Sequence, residues 1–113
     1  MSREEYVPDR GDIVWLSFSP TAGHEQAGRR PALVISPAPY NDRSGLALVC
    51  PITARAKGYP FEVALPSDSG IHGVALADQV RSVDWRARGA ERAGTTTPAV
   101  VAEALAKLAT LVS

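Results

Sequence analysis

The chain has 113 residues, twelve Lys and Arg against twelve Asp and Glu, and a formal net charge of zero, which excludes a surface coated throughout with phosphate-binding charge but leaves room for a local basic groove. An apolar content of 45% excludes low-complexity disorder, and a single cysteine, Cys50, excludes an internal disulfide framework. With two histidines and no cysteine pair, no protein-only zinc set is expected. The polar residues 1–5 and the short apolar run at 46–52 predict a cytoplasmic protein without a membrane span. Without an internal repeat or linker, residues 1–113 read as one domain.

Residues 12–18 predict a first strand, with Val14, Leu16 and Phe18 on one face and Ile13 and Trp15 on the other. Residues 19–30 form a polar connection well beyond the ~2–5 residues of an ordinary hairpin loop, which marks it as a functional candidate. Residues 31–36 predict a second strand, opened by Pro31 where a ladder donor is least needed. Residues 37–45 read as a turn-rich loop. The nearly all-apolar 46–50 predicts a third strand buried on both faces, and the alternating 61–65 a fourth. Residues 73–76 and 80–85 supply one or two more, separated by Ala77, Asp78 and Gln79. Short strands at this spacing predict a small, strongly bent barrel or sandwich. Toward the C-terminus the period changes. Thr97 is placed to cap a helix that Pro98 opens, and Val101, Leu105, Leu108 and Val112 form an apolar stripe predicted to pack on the barrel.

Zero net charge conceals an uneven distribution. Residues 29–60 carry five basic side chains (Arg29, Arg30, Arg43, Arg55, Lys57) and one acidic, Asp42. Residues 1–28 carry two basic and five acidic. Arg81, Arg86, Arg88 and Arg92 form a second basic cluster. Tyr40 and Tyr59 lie in the same predicted loops as the central cations. That mixture suits single-stranded nucleic acid, since arginine neutralises phosphate while a ring stacks on any base. An ordinary solvated surface would show the same exposed arginines.

The strongest local feature is Glu25-Gln26-Ala27-Gly28-Arg29-Arg30-Pro31, where an arginine anchored beside a buried strand can aim its fork at a phosphate. Thr53, directly after the third strand, offers a hydroxyl to an oxyanion or serves as a turn residue. Lys57 to Phe61 forms a turn that carries an amine and an aromatic ring. His24 has the chemistry of a general acid or base, although a lone loop histidine is more often a surface residue; His72, between Ile71 and Gly73, ranks below it. Cys50, inside an apolar run, reads as a small buried hydrophobe. No Ser-His-Asp context, phosphate-binding glycine loop or metal-ligand spacing is present.

Taken together, these motifs resemble the MazF/PemK family of toxin endoribonucleases from type II toxin–antitoxin systems. The resemblance runs nearly end to end. It rests on Tyr6-Val7-Pro8-Asp9, Gly11 to Trp15, Glu25 to Gly28, Arg30-Pro31-Ala32, Ser36-Pro37, Lys57 to Val63, Gly73 to Val80 and Trp85 to Ala90. It implies a mainly β fold, a small SH3-like barrel with a C-terminal α-helix, working as a homodimer. It also implies metal-independent, ribosome-independent cleavage of single-stranded mRNA at a short sequence, leaving 2′,3′-cyclic phosphate and 5′-hydroxyl ends, with no cofactor. The family's catalytic arginine falls on Arg30 and its catalytic threonine on Thr53. The resemblance implies a cognate MazE-like antitoxin whose acidic tail occupies the RNA groove, a flexible segment imitating RNA charge. Arg29, where a close relative type has His, and Ala54-Arg55 after Thr53 depart from the best-known members and bear on the cleavage sequence.

Formation of a cyclic phosphate requires a base for the 2′-hydroxyl, an acid for the 5′-oxygen and stabilisation of phosphorane charge. Arg30 suits the third task and Thr53 can add a hydrogen bond, whereas a guanidinium is a poor base near neutrality. Glu25, His24 or water is expected to move the proton, and Gln26, Arg29, Lys57, Gln79 and Arg86 to position RNA or read bases. The alternative is a non-nucleolytic module on the same barrel, such as a gyrase poison, which would need no Arg30–Thr53 pair.

Overall fold

The computed structural model describes residues 5–18, 28–66 and 70–113. Seven strands follow the chain: β1 (Asp12–Ser17), β2 (Arg29–Val34), β3 (Leu46–Thr53), β4 (Glu62–Ala64), β5 (Val74–Leu76), β6 (Arg81–Asp84) and β7 (Glu91–Thr95). Helix α1 (Ala38–Ser44) lies between β2 and β3, and helix α2 (Pro98–Val112) ends the chain. All strand pairs are antiparallel, in the order β4-β5-β3-β2-β1-β7. Strand β3 is the hub: residues 46–49 pair with β6, and Ile52 and Thr53 pair with β5. The mainly β architecture with a C-terminal helix is therefore as expected. The sheet is open: among the described residues the pairing path ends at β4 and β7 without closing the barrel.

Alternation along the strands divides the core between the two faces of the sheet. Ile13, Leu33, Ile35, Cys50, Ile52 and Val63 gather on one face, where Val100 and Ala104 of α2 cover them. Val14, Leu16, Phe18, Ala32, Val34, Ala47, Val49, Val83 and Trp85 form the second cluster. Strand β3 is thus buried on both faces only toward its C-terminal half; Leu46 and Leu48 are each 37% exposed, on the face that α2 covers only farther along at Cys50 and Ile52. Helix α2 begins as its sequence predicts, with the Thr97 hydroxyl accepting from the Val100 N–H at 3.3 Å and Pro98 in the first turn. Its buried stripe is Val100, Val101 and Ala104, with Leu105 and Leu108 packed at its edge. Val112 projects beyond the sheet and is 74% exposed. Among the described residues no helix is long and apolar enough to cross a membrane.

Three local outcomes differ from expectation. Residues 38–44 are helical, because the buried Asn41 side chain anchors the segment and Gly45, at φ 75°, closes it with an N–H bond to the Asn41 carbonyl. Strand β7 forms by pairing with the edge of β1, although Glu91–Thr95 shows no apolar alternation. Strand β2 begins at Arg29, two residues before Pro31. That shift places both arginines on a strand, where register fixes their direction.

Candidate active site

Strands β2 and β3 pair Ala32 with Pro51 and Leu33 with Cys50. Beyond the paired residues, Arg30 lies toward the start of β2 and Thr53 at the end of β3. Both line one open cleft of roughly 330 Å³, together with Arg29, Pro31, Ile52, Ala54 and His72. The Thr53 hydroxyl accepts from the Arg55 N–H at 3.2 Å, and its own O–H remains a donor that can turn toward the cleft. On the other edge of β3, Thr53 pairs with Val74 of β5. Just before Val74, Gly73 adopts φ +126°, and a Cβ there would overlap the Thr53 carbonyl oxygen. Only glycine allows the backbone at 72–73 to lie so close to Thr53. This approach carries His72 to the rim of the cleft.

Thr53 also lines a second cleft of roughly 260 Å³, with Arg55, Lys57, Tyr59, Glu62, Leu76 and Gln79. The two clefts therefore share one residue, Thr53. The Glu62 carboxylate shapes the turn beside it, accepting from the Lys57 N–H at 2.9 Å and the Gly58 N–H at 3.0 Å. With its charge turned onto backbone donors, Glu62 competes less with phosphate for the cations outside. The Lys57 ammonium lies 6.0 Å from the centre of the exposed Tyr59 ring.

Most of the residues singled out in the sequence converge here: Arg30, Thr53 and Arg29 line the first cleft, and Lys57 and Gln79 line the second. Arg29 is heavily engaged. Its guanidinium donates to the carbonyls of Gly89 (2.6 Å) and Trp15 (3.2 Å), to the Ser17 hydroxyl (3.3 Å) and to Glu91 (2.7 Å). It braces the start of β2 beside Arg30. Arg86 lines neither of these two clefts. It donates to Glu5 at 2.8 Å and Asp42 at 3.3 Å and stacks 4.1 Å from the Trp85 ring centre. The Glu5 hydrogen bond holds the Arg86 pKa above its ordinary value, and the reciprocal bond holds the Glu5 carboxyl below its own. Glu25, Gln26 and His24 lie outside the described residues.

Two contributions are invisible to a reading along the chain. His72 reaches the cleft through the β3–β5 pairing, and Glu62 acts on a turn whose geometry only the fold reveals. Cys50 is buried as expected, and burial, followed by the Asp78 charge, pushes its thiol up to about 11. Among the described residues no group of three or more His, Cys, Asp or Glu side chains is placed to hold a metal ion. The cleft can therefore offer an oxyanion fixed guanidinium and hydroxyl donors at the meeting point of two grooves bordered by cations.

Comparison with known proteins leads to the same chemistry. The family profile described as PemK-like, MazF-like toxin of type II toxin-antitoxin system matches residues 9–112. The endoribonuclease toxin MazF of Escherichia coli K12 is 58% identical over 93 residues, covering 82% of this chain and 83% of that one. The endoribonuclease toxin ChpB of the same strain is 47% identical over 111 residues, covering 92% and 93%. In structure, a chain of the MazE–MazF crystal form II from Deinococcus radiodurans superposes with a TM-score of 0.90 at 58% identity, covering 96% of this chain and 97% of that chain.

Proposed function

This chain belongs to the PemK-like, MazF-like toxin family of type II toxin–antitoxin systems, and from that premise we infer that it is an endoribonuclease toxin acting on single-stranded RNA. One observation carries the assignment of its reaction centre. Arg30 and Thr53 line a single cleft beyond the paired part of β2 and β3, although 23 positions separate them in the chain.

At that centre the 2′-oxygen of the substrate attacks the adjacent phosphorus while the 5′-oxygen leaves, giving a 2′,3′-cyclic phosphate and a 5′-hydroxyl. Charge accumulates on the non-bridging oxygens of the phosphorane. Arg30 meets it with a fixed fork of N–H donors, and Thr53 adds an O–H donor from the facing strand. Removing a single preorganised donor of this kind typically costs about 10²–10³-fold in turnover. Lys57, Gln79 and Tyr59 in the adjoining cleft position the flanking nucleotides by charge, hydrogen bonding and stacking. Glu25 and Gln26 belong to the same reading as a catalytic residue and an RNA contact in the sequence before β2.

The protein acts in the cytoplasm as a homodimer, without metal or cofactor and without the ribosome. It is held inactive by a cognate antitoxin of the MazE kind, as in the MazE–MazF complexes that it resembles. An acidic antitoxin tail would enter the cation-bordered grooves in place of RNA. The test is incubation of the antitoxin-free protein with a long RNA in EDTA, mapping the new 5′ ends by primer extension. Discrete cuts at a recurring short sequence, lost in Arg30→Ala, are expected. Intact RNA in the presence of folded protein would favour a non-nucleolytic toxin instead.

A further inference from the structure

The cleft is rich in donors and poor in acceptors. Arg30 and Thr53 bring N–H and O–H groups, the Arg29 guanidinium is bonded to four acceptors, Pro31, Ile52 and Ala54 carry no polar side chain, and no carboxylate lines the cleft among the described residues. Cyclisation on phosphorus needs more than charge stabilisation, because the 2′-hydroxyl must lose its proton. A guanidinium holds its protons throughout the physiological range and cannot take that one. The remaining lining side chain is His72, exposed at the rim and held there by the tight packing of Gly73 on Thr53. Histidine is the side chain that ordinarily changes charge between about pH 5 and 8.

We propose that His72 is the general base of this site, a role that rests on the endoribonuclease reading above. An imidazole nitrogen takes the proton of the 2′-hydroxyl as the 2′-oxygen bonds to phosphorus. The P–O5′ bond breaks with its electron pair passing to the 5′-oxygen. Water entering the open cleft protonates that oxygen, and the imidazolium returns its proton to the hydroxide left behind. Atoms and charge balance without a metal or co-reactant. The charged groups lining the cleft with His72 are Arg29 and Arg30 of β2, while β3 contributes Thr53 and no charge.

The test is the pH dependence of RNA cleavage in EDTA for the wild-type protein and for His72→Gln, His72→Ala and Glu25→Gln. The wild-type rate rises with pH along a single limb and then levels. His72→Gln loses that limb and about 10²–10⁴-fold in kcat, with KM little changed. Free imidazole restores part of the activity of His72→Ala, which a merely structural role would not allow. Because His72 is exposed, melting curves of these variants should match the wild type. Cleavage by His72→Gln within about threefold of wild type, with the limb intact, overturns the assignment; loss of the limb in Glu25→Gln alone would move the base there. Wild-type protein that leaves RNA intact would overturn the nuclease reading itself, and the inference with it.

Discussion

Two polar clusters sit at different places on this small sheet, and they use similar groups in opposite ways. Around α1, Asn41 is fully buried and its bonds are closed on all sides. Its side-chain amide donates to the carbonyls of Pro8 (2.7 Å) and Ser36 (2.9 Å), and its side-chain oxygen accepts from the Ser36 hydroxyl at 2.6 Å. The Ser36 hydroxyl in turn accepts from the Leu48 N–H, and the Trp85 indole donates to the Asn41 carbonyl. At the ends of β2 and β3, by contrast, Arg30, Thr53 and His72 border an open cleft. A saturated, dry network specifies a fold, while side chains that border an open groove can meet a ligand. Arg29, in the same cleft, gives its guanidinium to four acceptors that tie β2 to its neighbours.

Substitutions on either side of this division should have separable effects. The largest is expected for Asn41→Ala, which strands several buried partners and should cost about 3 kcal/mol of stability. Denaturant melts would show it, while cleavage measured well below the melting temperature stays near wild type. Gly73→Ala strikes the other cluster. The added methyl meets the Thr53 carbonyl, and displacing the hydroxyl by about 1 Å should cost roughly 10²-fold in kcat/KM. A Gly73→Ala enzyme of full activity would refute the positioning of Thr53 by its neighbour.

Glu62→Gln should act more gently, loosening the Lys57–Gly58 turn and raising KM by about fivefold through loss of a charge-assisted bond. Unchanged KM would confine Glu62 to a passive place in the turn. The smallest effect belongs to Cys50. A thiol pushed up to about 11 in the folded state keeps a proton that the unfolded chain releases earlier. Its contribution to stability is therefore present at neutral pH and is lost as pH rises from the ordinary thiol range toward that value. Cys50→Ala should remove this part of the alkaline decline, and native Cys50 should resist alkylation at mildly alkaline pH.

Much of this division was legible in the sequence where local rules and tertiary demand agree. Alternation exposed β1, the apolar run exposed β3, and Thr97-Pro98 marked the start of α2. Helix α1 was hidden because Pro37, Pro39, Asn41, Asp42 and Gly45 are turn formers; the Asn41 network, more than intrinsic propensity, holds those residues helical. Strand β7 was hidden because an edge strand gains its ladder from β1 and needs no apolar pattern of its own. The Arg30–Thr53 pair could be named through motif resemblance, but its juxtaposition is a matter of register. The partners of Arg86 were hidden too, because a basic cluster in sequence does not reveal that Glu5, Asp42 and Trp85 gather around its guanidinium. His72 ranked below His24 for the converse reason: only the β3–β5 pairing brings it to the cleft that Thr53 lines.

The central claim is that Arg30 and Thr53 act as one reaction centre across the β2–β3 register. It is tested most directly by a double-mutant cycle on kcat for RNA cleavage, using Arg30→Ala, Thr53→Ala and the combined variant. The account predicts strong non-additivity, with each single change costing about 10²-fold or more and the double variant little slower than the worse single one. Losses that multiply independently, or a Thr53→Ala enzyme of wild-type rate, would contradict it.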